Sequence, residues 1–260
     1  MSSTLLAKRL EGKTTLITGG TTGIGFATAQ VFLAHGAKLI ITGQDEERLN
    51  AAVEKLKAEF KSVDVHGVRA DVRSLEQLTA LAEATTKIFN GHLDVLFVNS
   101  GVAGKSKVFE DVDENEFDFI FDVNVKGLFF TVQKLAPLLS SGSSVILDLS
   151  TIHGRPGAFN PTYAASKAAG RSLLRSLAVH LAPKGIRVNS ISPGLVPTEI
   201  GKYNDDPVKR KAVLDGILAS IPLKRAAKPE EIANATLFLA SADSSYLTGS
   251  DILVDGGISA

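Results

Sequence analysis

No cysteine occurs in the 260 residues, which excludes disulfides, thiolate-held metals and a cysteine nucleophile. Net charge is also lacking, because 28 basic residues balance 28 acidic ones. No long-range field therefore draws the chain to nucleic acid or to an anionic membrane. No apolar run approaches the roughly 18 residues a membrane span needs, and residues 1–12 lack the apolar core of a signal peptide. The histidines, at positions 35, 66, 92, 153 and 180, show no metal-ligand spacing, so no metal is expected. Internal repeats, low-complexity tracts and linkers rich in Pro, Gly or Ser are missing too. The expectation is one domain over residues 1–260, soluble and cytoplasmic, with a small-molecule substrate and neither a nucleic-acid nor a membrane partner.

What is present is a regular alternation. Apolar, β-branched runs at 14–18, 38–42, 63–68, 93–98, 144–149, 186–191 and 252–254 read as strands. Helical patterns fill the gaps at 23–35, 46–60, 75–90, 114–139, 161–182 and 229–241. Strands alternating with helices give an α/β doubly wound fold: a seven-stranded parallel sheet with helices on both faces. One long irregular insertion, 193–222, contains a polar helical segment near 206–219. Such a loop inside a compact domain suits an active-site lid, here over about 195–221.

The first strand runs into Thr18-Gly19-Gly20-Thr21-Thr22-Gly23-Ile24-Gly25, where a helix begins. Glycines there allow a sharp turn and a close approach of backbone N–H groups to a pyrophosphate, and the helix N-terminus adds partial positive charge. The spacing Gly-x-x-x-Gly-x-Gly after an N-terminal strand points to a dinucleotide. At the end of the second strand stands Thr42-Gly43-Gln44-Asp45, with no acid at the tip to select an unphosphorylated ribose. Asp45 reads as the cap of the next helix. This favours NADP over NAD, although neither Thr22 nor Gln44 supplies a basic clamp. Asp71-Val72 either meets an adenine or lets Asp71 cap the helix starting near Ser74. Asn99, ending the fourth strand, is either a ligand residue or a turn residue.

In Tyr163-Ala164-Ala165-Ser166-Lys167 a phenol and an ammonium stand four residues apart, on one helical face. A phenol with a pKa of about 10 needs a neighbouring positive charge to work near neutrality. Lys167 supplies it. Taken singly, the pair could equally be a half-buried aromatic beside a solvated lysine.

Together these motifs resemble the short-chain dehydrogenase/reductase family. The matches are Thr18-Gly19-x-x-x-Gly23-x-Gly25, Asp71, Asn99-x-Gly101, Asn124 in Asn-Val-Lys-Gly, a serine before Tyr163-x-x-x-Lys167, and Pro193-Gly194 with Thr198. The resemblance implies a Rossmann fold and an NAD(P)-dependent oxidoreductase that interconverts a carbonyl and an alcohol. It implies that Tyr163 is the general acid/base, that Lys167 lowers its pKa and holds the nicotinamide ribose, and that Asn124 supports a water chain. A serine would orient the substrate oxygen. Ser150 stands 13 residues before Tyr163 and Thr151 three before Gly154, so both hydroxyls fit, with Ser150 preferred.

The dinucleotide would lie on Gly19, Thr21, Thr22, Gly23, Ile24 and Gly25, on Gln44, Asp71 and Val72, on Asn99 and Gly101, and on Tyr163 and Lys167. Pro193, Gly194, Val196 and Thr198 would line its nicotinamide end. His153 falls near this site as a bystander, and Asp255-Gly256-Gly257 reads as structural. The helices carrying Asn124 and Tyr163 resemble those that pair subunits in homotetramers or homodimers of the family. The alternative reading is a non-catalytic dinucleotide sensor, whose signature would be loss of Tyr163, Lys167 or the serine. All three are present. Ile200, Tyr203, Val213, Leu214 and Ile217 in the lid suggest a moderately apolar carbonyl substrate.

Overall fold

The computed structural model of the chain describes residues 8–61, 63–105, 109–151, 160–198 and 207–260; at 207–210 and 213 it describes the backbone alone. His153, Gly154, Ile200, Tyr203 and the Val213 side chain lie outside what is described.

Seven strands form one parallel sheet in the order β3-β2-β1-β4-β5-β6-β7. They are β1 Thr14–Thr18, β2 Lys38–Gly43, β3 Val65–Arg69, β4 Leu93–Val98, β5 Leu139–Asp148, β6 Arg187–Pro193 and β7 Asp251–Val254. Adjacent residues of a strand point to opposite faces. Leu16, Leu96, Val145 and Leu147 belong to one buried cluster, whereas Ile17, Phe97 and Ile146 belong to another. The first cluster includes Leu78 and Leu81 of α3 (Leu75–Phe89), Val132 of α5 (Leu128–Leu135) and Leu174 of α6 (Pro161–Leu181). The second includes Phe32 of α1 (Gly23–Ala34), Leu49 of α2 (Glu46–Glu59) and Ile232 of α8 (Pro229–Ala240). Both faces of the sheet are thus covered, as a parallel sheet requires.

Side-chain caps set where several helices start. Asp45 accepts the Arg48 N–H and so starts α2, the role read for it from sequence. Asp113 accepts the Glu116 N–H and starts α4 (Glu114–Phe121). Asn160 accepts the Tyr163 N–H ahead of Pro161, whose missing donor is harmless in a first turn. At α3 the cap is Ser74, accepting the Gln77 N–H, and not Asp71.

Two boundaries depart from the sequence reading. The helix expected over 114–139 is interrupted by a π-helical turn, Asp122–Gly127, between α4 and α5. Such turns absorb an extra residue and often mark functional positions. After α5 a short turn containing Pro137 ends the run, so Leu139 starts β5 instead. Leu139 pairs with Leu93, and the register shifts before Ser144 pairs with Val95. The polar stretch Ser140-Ser141-Gly142 hides this early part of the strand from hydrophobic patterning. α7 spans Pro207–Ser220, inside the stretch expected to form a lid. No helix among the described residues is long and apolar enough to cross a membrane.

Candidate active site

From β1 the chain turns one way to β2 and β3, while β4 to β7 extend the other way. Ligands in such sheets bind at the carboxyl ends of the strands beside this reversal. A cleft of about 1430 Å³ opens there, larger than a site for one drug-sized molecule.

The glycine-rich turn forms one wall. Gly23 has φ of 55° and opens α1, while the Thr22 side chain makes no cap bond. The first N–H groups of α1 are therefore left for an anion. Asn99 clamps this turn to β4. Its Nδ2 donates to the carbonyls of Thr18 at 3.0 Å and Gly19 at 2.9 Å, and Thr18 Oγ1 accepts the N–H groups of Asn99 and Ser100. Asn99 lines the cleft as well.

Asp71 and Val72 line the same cleft. Asp71 accepts the Arg73 backbone N–H at 3.0 Å and pairs with the Arg73 guanidinium. That bond holds its carboxyl below the ordinary range despite partial burial. Gln44, just past β2, and Arg48, in the first turn of α2, line the cleft. Arg69, at the end of β3, donates Nε to the Gln44 carbonyl at 3.0 Å. This bond holds the Arg69 charge beside the end of β2.

On the opposite wall stand Ser150, Thr151, Tyr163 and Lys167. The Lys167 ammonium is buried, donates to the Asp148 main-chain carbonyl at 3.0 Å, and lies 5.7 Å from the Tyr163 ring centre. Burial lowers its pKa, partly opposed by the charge of Asp148. The same burial pushes the Asp148 carboxyl up to about 7, with Lys167 opposing. Thr151 is buried and directs Oγ1 at the Pro193 carbonyl, 3.4 Å away. Ser150 is the more open of the two hydroxyl residues.

Pro193, Gly194, Val196 and Thr198, expected at a nicotinamide end, line the cleft as well. Thr198 lies against Gly23, where an added Cβ would stand 3.0 Å from its Cγ2. Gly194 packs against the Asp255 backbone, and Asp255 accepts N–H groups of Gly257 and Ser259, so this C-terminal motif is structural. Leu195, Ala212, Gly216 and Ile217, from the stretch expected to form a lid, line the cleft.

Two expected residues stand behind the wall instead of on it. Gly25 lies beneath Gly19 and Asn99. Asn124, in the π-helical turn, is 3% exposed. Its Nδ2 donates to the Val102 carbonyl at 2.8 Å and to Ser166 Oγ at 3.0 Å, and its Oδ1 accepts the Val102 N–H at 2.9 Å. The partners are thus distant in sequence, not the nearby helix backbone. Gly101 sits between Asn124 and Lys167, since an added Cβ would be 3.4 Å from Oδ1 and 3.3 Å from Nζ.

Among the residues on the cleft that were not anticipated are Asp148, Asn160 and Ile258. Asn160 holds the start of α6 by donating to the Lys105 carbonyl and to Glu116 Oε1. An Asn-Pro pair ahead of a helical pattern was a signal for it. Asp148, the acid ending an apolar strand, gave none.

Residues 19–259 match the family model described as Enoyl-(Acyl carrier protein) reductase. The chain is 40% identical over 256 residues to Oxidoreductase asL5 of Sarocladium schorii, covering 96% of this chain and 97% of that one. It is 36% identical over 251 residues to a 3alpha-hydroxysteroid dehydrogenase of Mediterraneibacter gnavus, covering 95% and 97%. The crystal structure of levodione reductase superposes with a TM-score of 0.91 at 32% identity, covering 96% of this chain and 99% of that one.

Proposed function

The chain belongs to the short-chain dehydrogenase/reductase family, a family of NAD(P)-dependent oxidoreductases, and from that premise we propose that it is an NADP(H)-preferring carbonyl reductase and secondary-alcohol dehydrogenase. The observation that carries this reading is the placing of a buried lysine 5.7 Å from the Tyr163 ring in the same cleft as the glycine-rich turn. The donor set suits a dinucleotide: uncapped N–H groups at α1 for a pyrophosphate and Asp71 with Val72 for an adenine. Bound there, the dinucleotide supplies or accepts the hydride.

Tyr163 donates the proton to the carbonyl oxygen in reduction and removes it from the alcohol in oxidation. Lys167 favours the phenolate by its charge and holds the ribose hydroxyls. Ser150 orients the substrate oxygen, supported by its greater openness and by the engagement of Thr151 with Pro193. Asn124 is a positioning residue, holding Val102 and Ser166 so that Gly101 and Lys167 stay in place. The apolar Leu195, Ile217 and Ile258 at one end of the cleft suit a moderately apolar ketone. Phe117 and Phe129, exposed on α4 and α5, suit contact with a second copy of the chain.

Consumption of reduced dinucleotide, followed by its absorbance against a panel of ketones and keto esters, tests the activity. Turnover is expected, faster with NADPH than NADH. Dinucleotide binding without turnover of any panel member would favour a sensor.

Cofactor choice rests on Arg69 and on the lack of an acid at the tip of β2. A charged hydrogen bond to phosphate contributes about 1.5–3 kcal/mol, towards the low end at an exposed position. Arg69→Ala should therefore raise the Kd for NADPH about tenfold while leaving NADH within about twofold. Fluorescence titration with the two dinucleotides measures this, and equal weakening of both would remove Arg69 from the 2′-phosphate site.

A further inference from the structure

Asp148 ends β5 and lines the cleft, yet nothing in the proposed chemistry uses its side chain. It pairs with Ile191 of β6 and lies two residues beyond Ile146, both in the cluster beneath α1 and α8. Strand alternation therefore puts its carboxyl on the α1 side of the sheet edge. Lys167 comes from α6 on the other side and reaches only the Asp148 main-chain carbonyl, at 3.0 Å. The two charges are held close, separated by the backbone of Asp148 itself, without forming a direct ion pair.

Among the described residues, few other titratable groups face this carboxyl. The end of β4 presents Asn99, whose amide is engaged by Thr18 and Gly19. β6 presents Ile191 and Pro193, and α1 begins with Gly23, Ile24 and Gly25, none of which titrates. α6 presents Tyr163 and Lys167. One turn further along α6, Arg171 is paired with Asp251 of β7. Among the described residues, the charge acting on Asp148 is that of Lys167, and the reverse also holds.

We propose that Asp148 is a positioning residue of the active site: its carboxylate is the counter-charge that keeps the buried Lys167 protonated, and it thereby sets the pH range in which the Tyr163–Lys167 pair works. A buried ammonium facing only a neutral carbonyl tends to shed its proton. A carboxylate across the sheet edge opposes that loss. Removing the carboxylate favours deprotonation of Lys167 and of Tyr163 alike, so the pair loses its first proton at lower pH. Burial pushes the carboxyl up to about 7, so well below that pH the native side chain is largely neutral. The wild type and Asp148→Asn then carry nearly the same charge, and they diverge as the pH rises past it.

This inference rests on the reductase reading for its kinetic arm alone. The pH profile of kcat/KM for ketone reduction is measured for wild type and Asp148→Asn, with melting and NADPH binding as checks of folding. The alkaline limb of Asp148→Asn should fall about one pH unit lower, a roughly tenfold loss on that limb, while the curves meet on the acid side. Superimposable profiles from a folded variant would overturn the proposal and leave the reductase reading standing. The second arm needs no turnover and no folded Asp148 variant. With carboxyl-labelled aspartate, carbon NMR of wild type should show one carboxyl titrating far above its fellows, and Lys167→Met should move that titration higher still. If no such carboxyl exists, or if it ignores Lys167→Met, the coupling is absent and the proposal falls, whether or not the enzyme reduces ketones.

Discussion

Tyr163→Phe is expected to abolish ketone reduction while leaving NADPH binding and thermal stability close to wild type. The substitution removes one oxygen. The N–H of residue 163 still donates to Asn160 Oδ1 at the start of α6, and the ring still stands beside Lys167 Nζ, so helix and lysine keep their places. What disappears is the proton that must reach the carbonyl oxygen as the hydride arrives. General acid catalysis by a positioned group contributes about 10²–10⁴-fold, and the same hydroxyl is a hydrogen-bond donor to the developing alkoxide, a separate contribution of similar size. A fall in kcat of at least about 10³-fold is expected. Initial rates of NADPH consumption, read beside a fluorescence titration of NADPH and a melting curve, separate this from a folding defect. Activity within tenfold of wild type would mean that another group delivers the proton, and the mechanism built on Tyr163 would have to be abandoned.

Why the strands and the Tyr163–Lys167 pair were legible, and Arg69 or Asp148 were not, follows from the range of the interactions. Parallel strands covered on both faces must be apolar on both faces, so Leu96-Phe97 and Val145-Ile146 announce themselves whatever lies elsewhere. A four-residue spacing on a helix fixes a shared face locally. By contrast, Arg69 meets the Gln44 carbonyl across 25 positions, and only the pairing of β2 with β3 makes them neighbours. Asn124 was picked out as an awkward residue in an apolar segment, but its partners Val102 and Ser166 lie 22 and 42 positions away. Its actual place, inside a π-helical turn behind the cleft, could not be read from helical periodicity. Asp71 went the other way: the cap role suggested by its position before α3 falls to Ser74, because the carboxyl is engaged by Arg73. Asp148 carries its meaning only through Lys167, 19 positions away, and an acid at a strand end ordinarily means solvent.

Gly25→Ala is expected to be the most damaging single methyl group that can be added at the dinucleotide turn, and its sign is opposite to the general rule. Within a helix, alanine in place of glycine usually stabilises by about 0.5–1 kcal/mol. Gly216, in α7, illustrates that case, since an added Cβ there meets nothing within 4 Å. At Gly25 the added Cβ would lie 2.2 Å from the Gly19 carbonyl oxygen, 3.0 Å from its carbon and 2.6 Å from Asn99 Nδ2. Two of these atoms are backbone, so no rotamer change relieves the overlap. Either α1 backs away from β1 or the turn at Gly19 moves. The Gly19 carbonyl also accepts from Asn99 at 2.9 Å, and shifting it breaks the clamp that ties the turn to β4. Overpacking of this kind costs about 3 kcal/mol or more, which for a chain of this size lowers the melting temperature by about 10 °C. NADPH binding should be lost as well, because the N–H groups at the start of α1 no longer converge on one anion. Gly216→Ala serves as the control, with a melting temperature unchanged or slightly higher. A Gly25→Ala protein that melts like wild type and binds NADPH equally well would show that α1 can withdraw from the turn without consequence. The close packing of helix on turn would then have no part in forming the dinucleotide site.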